Sequence, residues 1–594
     1  MELGTCLFSL IFLSLLVCLV LFRFYADADL TLLYYHSLDR PRDFDNKVIW
    51  ITGASSGIGE NLAYTLVKLG AKLALSGVNV ERLTAVGERC KEISNCAAKD
   101  ILLVPFQINN FEVHDECVNK VLDHFGQIDI LVNNAGISQR AEFADVDIAI
   151  DQQLFSVNVF GTINLTRKVL KHFLQRNKGV PFSCPYTASK HALHGYFESL
   201  RSEMVEENIN VTLVCPGPVF SGLTERCLTG KVGEKFDHEQ KPTDKRMTTE
   251  RCSDLIATAI YYKLDESWIA FQPILFTYYM VQYIPTIFRT QLPLPHPIKS
   301  ENEAQDFRNK VVWITGASSG IGEHLAYRLV KSGAKLALSG VNVERLKAVG
   351  ERCKKISKYA AAADTLLVPF EINNFEAHDE CVKQVLDHFG RIDILVNNAG
   401  IGHLEKFSDM DKAVDHQVFS VNVFGTVNLT RKVLKHFLER KKGHIVVTSS
   451  SSGKLGTPYT SAYTGTKYAL HGYFECLRSE MVGKNIDITL VCPGPVVSRM
   501  TSSSPNGKVD ENNDRKQQPT FMKMSTERCC DLMATAISYK LEECWISLQP
   551  FLLAFYVAQY FPSKFRTWAI MHIIKRYFKR TGKRLASKDG ADSH

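Results

Sequence analysis

The side chains best suited to proton transfer in this sequence are a tyrosine and a lysine four residues apart, Tyr463 and Lys467. On a helix, residues spaced i and i+4 share one face, so the ammonium would lie beside the phenol. A neighbouring cation favours the phenolate and lowers its pKa from an ordinary value of about 10. Tyr463 could then exchange a proton with a substrate oxygen, to which Ser450 could also hydrogen-bond. Because this spacing alone is also typical of an exposed helix face, the chemistry depends on the accompanying motifs.

A glycine-rich segment follows the first predicted strand in each half of the chain. Glycines permit a tight turn there, and they let backbone N–H groups approach a pyrophosphate at the following helix N-terminus. A strand–helix corner can also require glycine for its backbone angles alone. The position within a β–α–β unit favours dinucleotide binding by Thr315, Gly316, Ser318, Ser319, Gly320, Ile321 and Gly322 and, in the first half, by Gly53, Gly57, Ile58 and Gly59.

The end of the second predicted strand indicates which dinucleotide is bound. An acidic residue there would accept a hydrogen bond from the ribose 2′-hydroxyl and select NAD, whereas an arginine would bind the 2′-phosphate of NADP. This sequence has Ser339 in place of the acid, and Arg345 is the next cation along the chain. The sequence therefore predicts NADP(H) in preference to NAD(H), bound beside Ser339 and Arg345. Hydride would then move to or from the nicotinamide while Tyr463 moves the proton. The positive nicotinamide ring would help Lys467 to lower the Tyr463 pKa.

The chain contains two copies of one domain. Residues 46–60 and 309–323 differ at one position, and the similarity continues to Trp268 and Trp545. Short β-branched runs alternate with helical patterns in both copies, which predicts an α/β fold with doubly wound parallel sheets. We therefore expect two domains, at 46–290 and 309–570, joined by a proline-rich linker at 291–308.

The ordered set of motifs is more specific than any one of them. TGxxxGIG, NNAG, serine, YxxxK and PG follow one another in the second copy, which resembles the short-chain dehydrogenase/reductase family over essentially its whole length. The resemblance implies tandem Rossmann-type domains in which Tyr463 is the acid and base and Lys467 binds the nicotinamide ribose. It further implies that Ser450 orients the carbonyl and Asn422 supports a proton relay. Cofactor contacts are implied for Glu371, Asn398, Ala399, Gly400, Pro493, Gly494 and Val496, and for Asn134 in the first copy.

The first copy keeps Tyr186 and Lys190 of the catalytic set but is shortened just before them. Gly179 to Tyr186 spans seven residues, whereas the equivalent Gly443 to Tyr463 spans twenty. The missing residues include the fifth strand and the catalytic serine, and a skipped exon would leave the same pattern. We expect this domain to lack the fifth strand, unless residues 180–183 reform it, and to be catalytically impaired.

The two copies could form an internal pseudo-dimer. The resemblance implies pairing through the helices around Asn422 and Tyr463, and the first copy keeps both equivalents, around Asn158 and Tyr186.

The charge distribution favours a membrane surface over a nucleic acid as partner. Net charge is +7, but residues 575–594 carry seven basic and two acidic side chains, so the remainder of the chain is nearly neutral. Leu3–Phe22 is uncharged and long enough to span a bilayer, which predicts an anchor at 1–25; a cleaved signal peptide is the alternative. Arg23 places the catalytic region in the cytosol by the positive-inside rule. The basic segment at 571–594 could then lie on anionic lipid.

These observations predict an oxidoreductase with its activity in the second domain. Within the family, the resemblance is to single-pass proteins of the endoplasmic reticulum membrane that act on lipophilic carbonyls or alcohols, such as steroids and retinoids. The alternative is a membrane-anchored nucleotide-binding scaffold with vestigial chemistry. No metal site is expected, because the cysteines and histidines show no metal-ligand spacing.

Overall fold

The computed structural model describes residues 26–38, 42–94, 100–183, 187–205, 207–220, 227–229, 231, 246–283, 307–359, 364–497 and 523–560. The predicted anchor at 1–25, the basic tail at 571–594 and most of the predicted linker at 291–308 lie outside these residues, as does Tyr186. Among the helices that are described, none combines the length and apolar character needed to cross a membrane.

Seven short strands form the sheet of the first domain. Two neighbouring inner strands, Val48–Ile51 and Ile130–Asn133, bury every side chain, as expected where helices cover both faces of a parallel sheet. The strands are β1 (Val48–Ile51), β2 (Lys72–Leu75), β3 (Ile101–Leu103), β4 (Ile130–Asn133), β5 (Val180–Ser183), β6 (Thr212–Pro216) and β7 (Glu266–Ile269). The helices are α1 (Leu30–Ser37), α2 (Gly57–Lys68), α3 (Val80–Ser94), α4 (His114–Phe125), α5 (Ile148–Phe155), α6 (Thr162–Arg176), α7 (Thr187–Glu203), α8 (Thr249–Tyr261) and α9 (Ile274–Tyr283).

The second domain repeats this pattern. Its strands are β8 (Val311–Ile314), β9 (Lys335–Leu338), β10 (Thr365–Leu367), β11 (Ile394–Asn397), β12 (Gly443–Thr448), β13 (Ile486–Pro493) and β14 (Glu543–Ile546). Its helices are α10 (Gly320–Lys331), α11 (Val343–Ile356), α12 (Ala377–Phe389), α13 (Lys412–Phe419), α14 (Thr426–Arg440), α15 (Ser461–Glu480), α16 (Thr526–Ser538) and α17 (Phe551–Tyr560). A π-helical turn joins α5 to α6 at Ser156–Gly161 and α13 to α14 at Ser420–Gly425.

Both sheets are parallel, with strand orders β3-β2-β1-β4-β5-β6-β7 and β10-β9-β8-β11-β12-β13-β14. The direction of winding reverses beside β1 in the first sheet and beside β8 in the second. A crevice therefore opens at the carboxyl ends of β1 and β4, and of β8 and β11, where ligands bind in folds of this kind. The predicted pair of doubly wound α/β domains is confirmed.

The first domain has a fifth strand, so the expected loss of this strand does not occur, and the alternative that residues 180–183 reform it is the one observed. β5 pairs with β4 over all four of its residues and with β6 at Phe182 and Ser183. The reason is that ladder bonds use backbone groups, which any extended segment supplies, and β4 and β6 would otherwise have unpaired buried edges. The ladder between β5 and β6 is shorter than its equivalent in the second domain, where β12 pairs with β13 from Gly443 to Thr448.

The two domains contact each other mainly through α7 and α15, which pack against one another. Glycines permit the close approach of these helices. A Cβ added at Gly472 would lie 2.7 Å from the Ala188 Cα, and one at Gly465 would lie 2.4 Å from the Tyr196 ring. Buried apolar side chains from both domains form one continuous cluster across this contact. The internal pseudo-dimer stays a prediction for the protein in solution.

Two buried ion pairs cross the contact. Arg167 of the first domain pairs with Asp415 of the second, and Tyr196 donates a hydrogen bond of 2.7 Å to the same carboxylate. Arg431 and Asp151 form the reciprocal pair in the opposite direction. Each arginine thus has a carboxylate partner, so neither charge is buried alone.

Candidate active site

The glycine-rich turn of the second domain has the backbone geometry that a pyrophosphate site requires. Gly316 and Gly320 have φ angles of 64° and 59°, in the left-handed region that favours glycine. A Cβ at Gly322 would lie 2.3 Å from the Gly316 carbonyl oxygen, so a side chain there would fill the turn. Ser319 caps α10 without a side-chain hydrogen bond to the helix, which leaves backbone N–H groups of the first turn to bind an anion. The residues present therefore fit a dinucleotide.

The NNAG segment after β11 is tied directly to this turn. The Thr315 hydroxyl accepts hydrogen bonds from the backbone N–H groups of Asn398, at 3.0 Å, and Ala399, at 3.1 Å. The Asn398 side-chain amide donates to the Thr315 carbonyl oxygen at 3.1 Å. In the first domain, Asn134 makes the same contact with the Thr52 carbonyl oxygen at 3.1 Å. Both domains thus lock the end of the fourth strand to the end of the first.

The residues predicted to select the cofactor differ in how they are placed. Ser339 is buried after β9, and its hydroxyl accepts a hydrogen bond of 2.8 Å from the Trp313 indole N–H. Arg345 lies in the exposed first turn of α11. Glu371 is also exposed, in a turn after β10 where its carbonyl oxygen accepts a bond from the Asn374 N–H. Arg345 therefore lies on the solvent side of the crevice, whereas the Ser339 hydroxyl points into the sheet.

The predicted catalytic residues converge at the carboxyl end of β12. α15 begins at Ser461, two residues before Tyr463, and places the Lys467 Nζ 5.5 Å from the centre of the Tyr463 ring. The Lys467 ammonium donates a hydrogen bond of 2.9 Å to the Thr448 carbonyl oxygen. Ser450 follows β12 and lies close enough to the Tyr463 hydroxyl to act on its pKa. The predicted Ser–Tyr–Lys set is thus assembled in one place.

The pKa values of this set follow from burial. Burial raises the pKa of Tyr463 above its ordinary value, although Ser450 acts in the opposite direction. Burial also lowers the pKa of Lys467 to about 8. In the protein without cofactor, the cost of burying the phenolate therefore dominates the pKa of Tyr463. The lower pKa expected from Lys467 together with the positive nicotinamide ring stays a prediction for the complex.

Asn422 lies in the π-helical turn and is fixed from three sides. Its side-chain oxygen accepts a bond of 2.8 Å from the Ile401 N–H, and its amide donates to the Ile401 carbonyl oxygen and to the Thr466 hydroxyl. A Cβ added at Gly400 would lie 3.2 Å from the Asn422 Oδ1 and 3.8 Å from the Lys467 Nζ. Asn422 and Lys467 therefore flank the same glycine, as a relay between them requires.

The PG motif closes the other side of the crevice. The Gly494 N–H donates a bond of 2.8 Å to the Ile546 carbonyl oxygen, just after Pro493 ends β13. Val496 forms an isolated bridge with Met524. A Cβ at Gly494 would lie 3.5 Å from the ring of Phe555 on α17. An apolar helix therefore lies close to the predicted nicotinamide side.

The first domain keeps part of this geometry. A Cβ added at Gly136 would lie 3.2 Å from the Asn158 Oδ1 and 3.7 Å from the Lys190 Nζ, as at the equivalent site of the second domain. Gly53 and Gly57 have φ angles of 65° and 64°. A Cβ added at Gly59 would lie 2.4 Å from the Gly53 carbonyl oxygen. Ile58 is partly buried and packs against the core. A dinucleotide cradle is present, but the shortened sequence has no equivalent of Ser450.

Three residues of the site were missed by sequence reasoning. Thr448 supplies the carbonyl that holds Lys467, and a backbone contact leaves no side-chain signal in a sequence. His403 follows NNAG, and neither of its buried ring nitrogens has a hydrogen-bond partner within the described part of the chain. Glu203, from the first domain, reaches the second through the domain interface. Only His403 had a visible signal, its position just after NNAG.

Comparison with known proteins identifies the family. The family model for short chain dehydrogenase matches residues 47–230 and 310–508, which is more than half of the chain. The chain belongs to this family.

It is similar to "Dehydrogenase/reductase SDR family member 7" of Homo sapiens, with 42% identity over 298 residues that cover 47% of this chain and 88% of that protein. It is also similar to "11-beta-hydroxysteroid dehydrogenase-like 2" of Arabidopsis thaliana, with 34% identity over 247 residues that cover 41% and 76%. Among solved structures, levodione reductase is 26% identical with a TM-score of 0.36, covering 41% of this chain and 96% of that one.

Proposed function

We propose that the second domain transfers hydride between NADP(H) and a lipophilic carbonyl or alcohol, such as a steroid or retinoid. The observation that carries this proposal is the convergence of Ser450, Tyr463 and Lys467 at the strand end beside the glycine-rich turn. Membership of the short chain dehydrogenase family supports an oxidoreductase.

The residues of the chain would divide the chemistry among them. A bound nicotinamide supplies the hydride, or accepts it, and its oxidised ring adds a positive charge. The Tyr463 hydroxyl donates the proton to the carbonyl oxygen in reduction and withdraws it from the alcohol in oxidation. Ser450 holds that oxygen by a hydrogen bond. Lys467 favours the Tyr463 phenolate through its charge, and the bonds made by Asn422 fix the segment beside it.

A matched pair of variants tests this assignment. Tyr463→Phe should lower kcat by about 10²- to 10⁴-fold, because a positioned general acid contributes that much. Tyr186→Phe, the equivalent change in the first copy, should leave kcat within a factor of two. The assay is cofactor oxidation by the full-length chain with retinal and a panel of ketosteroids. Turnover that survives Tyr463→Phe would refute the mechanism.

The NADP(H) preference is proposed from the charge beside the ribose. The position after β9 carries no carboxylate, and Arg345 lies in the exposed first turn of α11. Arg345→Ala should raise the KM for NADPH by about tenfold, the loss of one charge-assisted hydrogen bond, and leave the KM for NADH unchanged. Equal effects on both cofactors would contradict the proposed role of Arg345.

A lipophilic substrate is supported by the apolar surroundings of the PG motif. Leu455 and Phe555 are buried together with Trp545, Phe551 and Leu552 packed against them. The name of the Arabidopsis relative refers to a hydroxysteroid, which agrees with such surroundings. Attachment to the endoplasmic reticulum membrane through residues 1–25, with the catalytic domain in the cytosol, completes the proposal. Protease protection in sealed microsomes tests the orientation: digestion of the domains without detergent is expected.

The first domain is a candidate nucleotide-binding scaffold. Its glycine-rich turn and the contacts of Asn134 match those of the second domain, although the sequence retains no catalytic serine. Calorimetric titration should give two NADPH molecules per full-length chain, in the wild type and in the Tyr463→Phe variant alike. A stoichiometry of one would refute nucleotide binding by the first domain.

A further inference from the structure

The loop that precedes the catalytic tyrosine exists only in the second domain. It runs from Leu455 to Thr460, between Ser450 and the start of α15. In the first domain, only residues 184–186 separate β5 from α7. The first domain can therefore contact this loop of the second, but the second domain has no equivalent loop of the first to contact.

Helix α7 of the first domain holds this loop by hydrogen bonds. The Ser199 hydroxyl donates to the Thr457 carbonyl oxygen. The Ser202 hydroxyl shares its proton between the Glu198 carbonyl oxygen of its own helix, at 3.0 Å, and the Gly456 carbonyl oxygen, at 3.2 Å. The Glu203 carboxylate accepts a bond of 3.0 Å from the Tyr459 N–H. Three polar side chains, spaced i, i+3 and i+4 on one face of α7, thus hydrogen-bond to the loop backbone.

The backbones of the loop and α7 approach unusually closely at Gly456. A Cβ added there would lie 2.5 Å from the Glu198 Cβ and 2.8 Å from the Ser199 backbone nitrogen, so only glycine fits. Tyr459 has a φ angle of 66°, a conformation that is strained for a bulky residue. Such a conformation persists where surrounding contacts enforce it, and the bond to Glu203 is one of them.

Glu203 also joins the loop to a second segment beside the crevice. Its other carboxylate oxygen accepts a bond of 2.9 Å from the Phe407 N–H, in the segment that follows NNAG. The Tyr459 carbonyl oxygen in turn accepts a bond of 2.9 Å from the Glu405 N–H. One carboxylate from the first domain therefore connects the two segments that follow β11 and β12, at the edge of the sheet where ligands bind.

The reciprocal residues of α15 show what happens where the loop is missing. Glu480, the equivalent of Glu203, accepts a bond of 2.9 Å from the Phe143 N–H, and among the described residues it accepts no second backbone bond like that of Tyr459. Cys476 and Glu480 instead line a cavity of about 240 Å³ between the domains, together with Gln139 and Phe143 of the first domain. The interface is thus symmetric in its helices but asymmetric at the active-site loop.

We propose that Glu203 of the first domain is a positioning residue for the active site of the second, supported by Ser199 and Ser202. It acts by fixing Leu455–Thr460 and the segment around Phe407, so the shortened domain serves as a scaffold for its neighbour's substrate crevice. This proposal rests on the proposed activity of the second domain.

The experiment compares Glu203→Gln with its matched control Glu480→Gln in the full-length chain. Glutamine has one acceptor oxygen and places an NH₂ group against the other backbone N–H, so it cannot accept both bonds. Glu203→Gln should raise the KM for retinal or a ketosteroid by about tenfold, equal to 1.4 kcal/mol, and leave the Kd for NADPH within a factor of two. Glu480→Gln should leave both within a factor of two. Equal changes in the two variants would overturn the proposal, as would a loss of NADPH affinity in Glu203→Gln that matches its loss of substrate affinity.

Hydrogen exchange separates this proposal from the proposed activity. Amides at 455–460 should exchange at least about tenfold faster in Glu203→Gln than in the wild type or in Glu480→Gln, since an opened loop loses its protection. This readout requires no turnover. Faster exchange in a chain inactive on every substrate would support the positioning contact and refute the proposed function. Unchanged exchange in Glu203→Gln would overturn the positioning role whatever the activity.

Discussion

The ion pair between Arg167 and Asp415 allows a quantitative test of the domain contact. Both side chains are nearly fully buried, with 6% and 4% of their surface exposed, and Tyr196 donates to the same carboxylate. Asp415→Asn keeps the shape of the side chain but removes the charge that neutralises the guanidinium. A buried charge left without its partner costs about 3–5 kcal/mol, so the free energy of unfolding should fall by about that amount.

The reciprocal variant should be less costly. Asp151 and Arg431 are just as buried, with 6% of each exposed, but both line the cavity between the domains. Water that enters this cavity can solvate the unpaired arginine, so Asp151→Asn should cost less than Asp415→Asn. A triple variant, Arg167→Met with Asp415→Leu and Tyr196→Phe, should recover most of the lost stability, because neither position of this pair then carries a charge.

Equilibrium urea unfolding of the full-length chain, followed by far-UV circular dichroism, measures these differences. A loss below about 1 kcal/mol for Asp415→Asn would mean that the contact opens or hydrates at little cost. The reasoning would also fail if Asp151→Asn were the more damaging change, since the cavity would then not relieve the charge.

The remaining predictions concern packing, titration and the substrate oxygen. Gly472→Ala should destabilise the chain by about 1–3 kcal/mol in urea unfolding, because the added Cβ would lie 2.7 Å from a backbone atom of the other domain. Gly350→Ala is the control: its added Cβ would lie 3.1 Å from a Leu side-chain atom, so the change should be neutral or stabilising. Burial lowers the pKa of Lys467 to about 8, so the unfolded chain binds more protons above that pH, and the free energy of unfolding should rise between about pH 8 and 10.5. Lys467→Met should flatten this rise. If the rise is unchanged in Lys467→Met, other groups cause it. Ser450→Ala should lower kcat for carbonyl reduction by about 10²-fold and leave the KM for NADPH unchanged. A raised KM for NADPH with an unchanged kcat would refute the role of Ser450.

The fold could be predicted from local patterns. Strand–helix alternation, the repeated glycine-rich turn and the NNAG segment each depend on neighbours in sequence, and the sheet order follows from right-handed crossovers. The sequence left open whether residues 180–183 form the fifth strand of the first domain, because the deletion removes the usual strand residues, while β5 needs only an extended backbone between β4 and β6.

The site was predictable in its membership but not in its energetics. Ser450, Tyr463 and Lys467 converge as their spacing indicates, yet the direction of the Tyr463 pKa depends on burial, which no motif reports. Glu203 lies 256 residues from its partner Tyr459, and nothing local marks it as part of an active site. Contacts between the two domains depend on their packing, which the sequence of either domain does not specify.

The domain contact joins two parts of one polypeptide, and this has a kinetic consequence. Association of separate subunits weakens on dilution, whereas a contact within one chain forms in a unimolecular step whose extent does not depend on protein concentration. A crevice completed by Glu203 would therefore keep its specific activity in the most dilute assay. Mixing the separated halves would instead restore activity only in proportion to their concentration.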